Sequence, residues 1–195
     1  MKRKIAIDVD DVLANFHKAI INWHNETYGS FLNLRDVKSY LFNEVWGGTL
    51  EQAIKKVELF HNSPKFKEIL PIENAVSSIN SLAKENDLFI VTSRPLIMQG
   101  ETNRWINYFF GDKFKEIFYS SNHYSGVKNS NKTKIQICNS LNVSFLIDDS
   151  FDYVKTCSGT SIRGLLFGNY PWNTNCILPE GVSRIKDWKG ALELL

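Results

Sequence analysis

Two pairs of acidic residues follow apolar runs in the sequence, and their spacing is suited to metal-assisted chemistry. Asp8 and Asp10 follow the first run, KIAI, and Asp148 and Asp149 follow a later one, VSFLI. Residues i and i+2 of a strand point to the same face, so Asp8 and Asp10 are predicted to project into one pocket. If both runs are strands of one sheet, up to four carboxylates share a small volume.

Four carboxylates in a small volume cannot all stay ionised unaided, because like charges within ~4–6 Å raise one another's pKa. A bound cation removes this penalty. Oxygen ligands suit a hard divalent ion, and a few carboxylates together with waters and a substrate phosphate suit Mg²⁺ better than Ca²⁺. The sequence therefore predicts Mg²⁺ at a site that contains Asp8, Asp10, Asp148 and Asp149.

Hydroxyl and ammonium groups suited to binding an anion occur at comparable places. Thr92 and Ser93 end the apolar run DLFIVTS, and Lys134, with Lys132 as the alternative, lies in NKTK before the run that ends in Asp148. Such groups bind the anionic oxygens of a phosphoryl group, so the whole set predicts phosphoryl transfer. Each motif by itself is also common as a turn or a helix cap. Their occurrence together, in chain order, is what favours a site.

Alternating strand and helix patterns position these residues. From residue 72 onward, short apolar runs alternate with helical periodicity, which predicts an α/β fold with a doubly wound parallel sheet. The predicted strands are KIAIDVD, DLFIVTS, EIFYS, VSFLIDD and IRGLLFG. The predicted helices are ENAVSSINSLAKEN, TKIQICNSLN and RPLIMQGETNRWINYFFG, the last with Pro95 in its first turn and Gly111 at its C-cap. Ligands of such sheets bind beyond the carboxyl ends of the strands.

Residues 12–71 lack this alternation and read as several helices. The first apolar stripe there consists of Leu13, Phe16, Ile20 and Trp23. Thr49 and Gln52 form a capping box before a further helix. We therefore predict an α/β core domain at residues 1–11 and 72–195 and a small helical cap subdomain at residues 12–71, inserted after the first strand. The insert is rich in aromatic residues, and most of these rings are expected to form its own small core. The alternative is that one or two of them face a planar ligand.

Composition narrows the classes of partner. The 195 residues are 43% hydrophobic and 23% charged, which is typical of one soluble globular unit without a membrane span. A net charge of +2, with scattered basic residues, argues against a nucleic acid polymer as partner. Cys138, Cys157 and Cys176 fit neither a disulfide framework nor a zinc site, and no secretory signal is seen. We expect a cytoplasmic protein, and the sequence leaves its oligomeric state open.

In these motifs the chain resembles the haloacid dehalogenase (HAD) superfamily of phosphatases, whose four motifs occur here in order. They are matched by DVDDVL after the first run, by Thr92, by Lys134 with Lys132 as the fallback, and by the pair Asp148 and Asp149. The closer resemblance is to 5'-nucleotidases of the deoxyribonucleotidase type. It rests on DVDDVLANF, LPIENA, VTSRP, LIDDS, LLFGNYPWN and RIKDW, and it covers nearly the whole chain.

The resemblance implies a HAD-like, Rossmannoid core and a Mg²⁺-dependent phosphatase. Asp8 is then the nucleophile that forms an aspartyl-phosphate, and Asp10 is the general acid. The Mg²⁺ ligands are the carboxylates of Asp8 and Asp149 and the backbone carbonyl of Asp10. Asp148 lies beyond them and orients Lys134 or a bound water.

The resemblance also assigns substrate contacts. Thr92, Ser93 and Lys134 hold phosphate oxygens, and Phe16 of the cap lies beside a nucleobase. The implied substrate is a nucleoside 5'-monophosphate, and in particular a deoxyribonucleotide. Two alternatives stay open: a HAD phosphatase that acts on a sugar phosphate or another small phosphomonoester, and a receiver-like signalling module that uses the same types of residue.

Two positions need separate interpretation. Asp11 stands where these families commonly have Gly, so the turn there must be one that a non-glycine residue adopts, and Asp tolerates such turns comparatively well. We interpret Asp11 as a turn residue. Arg94, in VTSRP, either contacts the substrate phosphate or forms a structural ion pair.

Overall fold

A six-stranded parallel sheet forms the centre of the protein, as seen in a computed structural model that describes residues 2–121 and 131–195. Its strands within the described residues are β1 (Arg3–Ile7), β2 (Asn86–Thr92), β3 (Phe114–Tyr119), β4 (Phe145–Asp148), β5 (Arg163–Phe167) and β6 (Val182–Ile185). Their order is β3-β2-β1-β4-β5-β6, and every neighbouring pair is parallel. This confirms the predicted doubly wound α/β fold.

Nine α-helices accompany the sheet in the described part of the chain. They are α1 (Phe16–Tyr28), α2 (Phe42–Trp46), α3 (Leu50–His61), α4 (Pro64–Lys67), α5 (Ala75–Glu85), α6 (Gln99–Phe110), α7 (Lys134–Leu141), α8 (Phe151–Val154) and α9 (Trp188–Leu194). None of the helices described has the length and apolar character that a bilayer span requires.

The predicted helices are present, but two of them begin later in the chain than expected. Gly111 ends α6 with a φ of 59°, as expected of a glycine C-cap. Pro95 does not lie in the first turn of that helix. It precedes a short 3₁₀ turn, Leu96–Met98, and α6 begins only at Gln99.

The strand β1 is central, because it pairs with β2 on one side and with β4 on the other. Its residues Ile5, Ala6 and Ile7 are fully buried. A strand covered on both faces reads as a continuous apolar run, which is why KIAI shows no alternation. The chain order reverses between β1 and β4, so the crevice at their carboxyl ends is where the fold places a ligand.

Residues 12–71, called the insert below, contain α1 to α4 and add no strand to the sheet. The chain enters and leaves it side by side: Asn15 N donates to Leu70 O (3.0 Å) and Ile72 N donates to Leu13 O (2.8 Å). Leu13 lies before α1 rather than on it. The division of the chain into two domains at these boundaries stays a prediction.

Candidate active site

A cavity of about 210 Å³ lies between the carboxyl ends of the strands and the insert. The residues that line it on the sheet side include Asp8, Asp10, Asp11, Thr92, Ser93, Arg94, Lys134, Asp148 and Asp149. From the insert it is lined by Phe16, His17, Tyr40, Leu41, Phe42, Leu50, Ala53, Ile54, Val57, Glu58 and His61. One end of the cavity is therefore charged, and the other is mainly apolar and aromatic.

Three carboxylates form the charged end. Each of Asp8, Asp148 and Asp149 offers an oxygen that lies within 4.8 Å of those offered by the other two, and all three residues are buried. The position of Asp8 follows from the sheet, since Asp8 N donates to Ile147 O of β4 (3.0 Å). Burial, and then the negative charges nearby, raise the pKa of Asp149 well above its usual range. Burial likewise raises the pKa of Asp8 to about 7.

Lys134 is the counter-ion of this cluster. Its Nζ lies 2.6 Å from Asp148 Oδ2 and 2.8 Å from Asp8 Oδ1, and the side chain is 1% exposed. The two carboxylates raise the pKa of Lys134 despite burial, so the ammonium stays charged. The residue opens α7, whose N-cap Thr133 accepts from Gln136 N in a capping box. Lys132, the alternative, is exposed.

The donor set fits a hard divalent cation. Asp8 Oδ1 has Lys134 Nζ, at 2.8 Å, as its ion-pair partner, and the Asp8 side chain is 9% exposed. Three crowded carboxylates share one ammonium, so a further cation would allow them to be ionised together. Carboxylate oxygens are the protein ligands that Mg²⁺ prefers. Asp8 and Asp149 are the two residues suited to hold it, since both Asp148 oxygens accept from Lys134 and Ser150 N.

The side chain of Asp10 does not join the cluster, contrary to the expectation that four carboxylates meet. Arg94 holds it instead: Nη2 lies 2.6 Å from Asp10 Oδ1, and Nε lies 3.0 Å from Oδ2. The i, i+2 rule fails because β1 ends at Ile7 and the chain turns there, with Val9 O accepting from Leu13 N. Of the two alternatives for Arg94, the structure shows the ion pair.

Thr92 and Ser93 line the cavity where β2 ends, and both hydroxyls have protein partners. Thr92 Oγ1 accepts from Arg94 N (3.2 Å). Ser93 Oγ lies 3.0 Å from both Ser120 Oγ and Tyr153 Oη. The two predicted phosphate contacts therefore lie at the charged end, within a hydrogen-bonded network that fixes their orientation.

Phe16 lies at the apolar end, as the first residue of α1. Its ring packs against Phe60 (centroids 5.8 Å apart) and His61 (6.1 Å). Burial and the nearby Arg94 lower the pKa of His61 to about 4, so its imidazole is neutral near pH 7. The ring of Phe16 lines the cavity, with Phe60 and a neutral His61 beside it.

Asp11 has a role that its sequence position did not reveal. It adopts a φ of 55°, which confirms its interpretation as a turn residue. Its buried carboxylate also accepts from His17 N (3.1 Å) and contacts His17 Nδ1, and so joins the turn to the first helix of the insert. Its carbonyl oxygen accepts from Tyr170 Oη (2.9 Å).

Two further residues contact the cluster and were not among the predicted site residues. Tyr40 Oη and Trp172 Nε1 each lie 2.8 Å from Asp149 Oδ2 and donate to it. The only signal for Trp172 was its place in the segment LLFGNYPWN, which carried part of the resemblance without a stated role. Tyr40 belongs to the many aromatic residues of the insert, of which one or two were expected to face a ligand, but no pattern singled it out.

Several solved structures share this fold. A haloacid dehalogenase-like hydrolase from Streptococcus pneumoniae is 13% identical with a TM-score of 0.71, and the match covers 100% of this chain and 99% of that one. A Clostridium acetobutylicum protein described as a predicted phosphatase is 16% identical (TM-score 0.68, 99% of both chains). A magnesium-bound HAD-hydrolase from Bacillus subtilis is 17% identical (TM-score 0.65, 100% and 98%). These likenesses establish a HAD-like fold.

The family follows from the sequence itself. A family model described as "5' nucleotidase, deoxy (Pyrimidine), cytosolic type C protein" matches residues 2–195. The chain belongs to this family and is accordingly a phosphatase, a hydrolase of the 5'-nucleotidase type. No curated protein matches it in sequence.

Proposed function

We propose that this protein is a Mg²⁺-dependent phosphatase that hydrolyses nucleoside 5'-monophosphates, deoxyribonucleotides in particular. The observation that carries the proposal is the cavity with two unlike ends. The buried carboxylates and Lys134 suit a cation and a phosphate, while Phe16 and its apolar neighbours suit a flat base. The family description supports the substrate class and, through the word "cytosolic", a cytoplasmic location.

In the proposed reaction Asp8 attacks phosphorus and forms an aspartyl-phosphate, while the bond to the 5'-oxygen of the sugar breaks. Covalent catalysis of this kind divides one difficult step into two easier ones. Water then attacks the phosphorus of this intermediate, which releases inorganic phosphate and restores the carboxylate of Asp8.

Asp10 serves as the acid and then as the base. In its protonated form it donates to the leaving 5'-oxygen, and it later accepts a proton from the attacking water, a contribution of ~10²–10⁴-fold. For this the carboxyl group has to leave the guanidinium of Arg94, take up a proton from water and reach the leaving oxygen. Until then Arg94 holds the side chain of Asp10 beside the cavity.

The phosphate oxygens are held by charge and hydroxyl groups. Lys134 Nζ lies within 2.8 Å of the attacking residue, so it is placed to neutralise charge that spreads over the phosphoryl oxygens. Thr92 and Ser93 bind the same oxygens. Mg²⁺ held by Asp8 and Asp149 supplies Lewis-acid neutralisation and alignment of the phosphate.

Phosphate release from a panel of substrates tests the proposal. The panel contains nucleoside and deoxynucleoside 5'-monophosphates, sugar phosphates and a small aryl phosphate, each with Mg²⁺ and with a chelator. We expect multiple turnovers, highest kcat/KM on the deoxynucleotides and loss of activity with chelator. A preference for sugar phosphates would instead support the alternative phosphatase, and a single phosphorylation without turnover would support a receiver-like module.

A further inference from the structure

Two hydrogen-bond donors from distant parts of the chain meet on one oxygen of Asp149. Tyr40 comes from the insert, between α1 and α2, and Trp172 comes from the loop that follows β5. Both donate to Oδ2 at 2.8 Å. Oδ1 of Asp149 takes part in neither bond, so the carboxylate keeps one oxygen for another ligand.

The loop that carries Trp172 is firmly anchored. Asn173 Nδ2 donates to Asp149 O (2.8 Å) and to Phe167 O (3.0 Å), while its Oδ1 accepts from Arg184 Nη1 (2.9 Å). The Trp172 ring is also stacked on Tyr170, with centroids 4.6 Å apart. Trp172 is therefore held at the carboxyl ends of the strands, where Asp149, the carboxylate that it orients, also lies.

The tyrosine donor is attached differently. Tyr40 lies in the insert, and the structure places its hydroxyl against a carboxylate that directly follows β4. The two residues are 109 positions apart in sequence. This bond therefore joins the insert directly to the acidic cluster, so any displacement of the insert from the sheet would break it.

Both bonds fix the orientation of a buried carboxylate that lies beside Asp8 and Asp148. Donors of this kind orient a ligating group, and their removal typically weakens metal binding by ~10–100-fold.

We infer that Tyr40 and Trp172 are positioning residues that orient Asp149 for a divalent cation, and that Tyr40 couples cation binding to the placement of the insert over the site. The inference rests on the proposed function only in taking Asp149 as a cation ligand. Because coupling between two events is reciprocal, the cation also stabilises the docked insert.

Mg²⁺ titration of the substrate-free protein by calorimetry tests the positioning role. Tyr40→Phe and Trp172→Phe each remove one donor and keep an aromatic ring, and we expect the Kd for Mg²⁺ to rise by ~10-fold or more in both. Tyr28→Phe is the matched control, because Tyr28 is a tyrosine of the same insert that is 43% exposed, and it should keep the wild-type Kd. Equal Kd values in all four proteins would overturn the inference.

Hydrogen exchange over residues 37–46 tests the coupling. Mg²⁺, at a concentration that saturates each protein, should slow exchange there in the wild type and in Trp172→Phe, and not in Tyr40→Phe. If Mg²⁺ does not change the exchange rate of this segment in the wild type, the coupling is refuted without any variant. Because neither measurement uses substrate, Mg²⁺ binding without nucleotide hydrolysis would contradict the proposed function alone, whereas a wild type that binds no Mg²⁺ would overturn both.

Discussion

Asp8, the proposed nucleophile, is buried, lies 2.8 Å from Lys134 Nζ and follows the central strand at the topological switch of the sheet. We predict that Asp8→Asn lowers kcat by at least ~10³-fold, because the amide is a poor nucleophile, while the far-UV circular dichroism spectrum is unchanged. Asp112→Asn is the matched control, since the Asp112 side chain is 91% exposed, and it should retain full turnover. Appreciable multiple turnover by Asp8→Asn would refute the nucleophile assignment.

Phe16 is predicted to distinguish substrates by their leaving group. Stacking of a base on an aromatic ring contributes ~1–3 kcal/mol, so Phe16→Ala should raise KM for a deoxynucleotide by ~5-fold or more. The KM for a small aliphatic phosphate ester, which lacks a base, should change less. Phe31→Ala, at a ring of the insert that is 93% exposed, should change neither value. Equal effects on both substrates would argue against a base contact.

At this scale the sequence predicted the residues that lie at strand ends and missed those that meet through the tertiary fold. Asp8, Thr92 and the pair Asp148 and Asp149 were predicted to meet because parallel strands bring their carboxyl ends to one edge of the sheet. The Arg94–Asp10 pair joins residues 84 positions apart, and no local pattern encodes such a contact.

Among the elements, α7 matters most for the chemistry, because its first residue is Lys134. We predict that Thr133→Ala lowers the free energy of unfolding by about 1 kcal/mol through loss of the N-cap, and that it also lowers kcat/KM by misplacing the lysine. Thr49→Ala is the matched variant, since Thr49 caps α3 with the same capping box. It should cost similar stability in denaturant unfolding and leave kcat/KM nearer to wild type. An equal loss of activity in both variants would contradict this positioning role.

Helices with apolar stripes and capping boxes were predictable, and short elements were not. The capping box of Thr49 and Gln52 predicted α3, and the apolar periodicity of the sequence predicted α5. Strand β6 was missed because its four residues, VSRI, form neither an apolar run nor a full alternation. Its place is set by pairing with β5, a tertiary contact.

For the whole molecule, the acidic cluster makes stability depend on pH and Mg²⁺ together. Burial raises the pKa of Asp8 from 3.8 to about 7, and the pKa values of Asp148 and Asp149 also rise. A group whose folded pKa is raised contributes stability below its unfolded pKa, and this is lost as pH rises through the folded value. The metal-free protein should therefore lose stability from these groups between about pH 4 and pH 7.

Thermal unfolding at several pH values, with and without Mg²⁺, measures this effect. Because the cation binds ionised carboxylates, the increase in Tm that it produces should grow over the same pH interval. At 100 times Kd the added stability is ~2.7 kcal/mol. Asp149→Asn should abolish the increase, whereas Asp112→Asn should keep it. A Tm increase independent of pH would contradict the prediction.

The hydrogen bonds that pair Asn15 with Leu70 and Ile72 with Leu13 have a consequence for how such enzymes diverge. The insert leaves and rejoins the core at adjacent residues, so its length can change at little cost in chain entropy and without altering the register of the sheet. In the proposed function the core holds the phosphate, while the insert contacts most of the leaving group. A change in the insert can then alter the substrate range, provided that it keeps Tyr40 on Asp149.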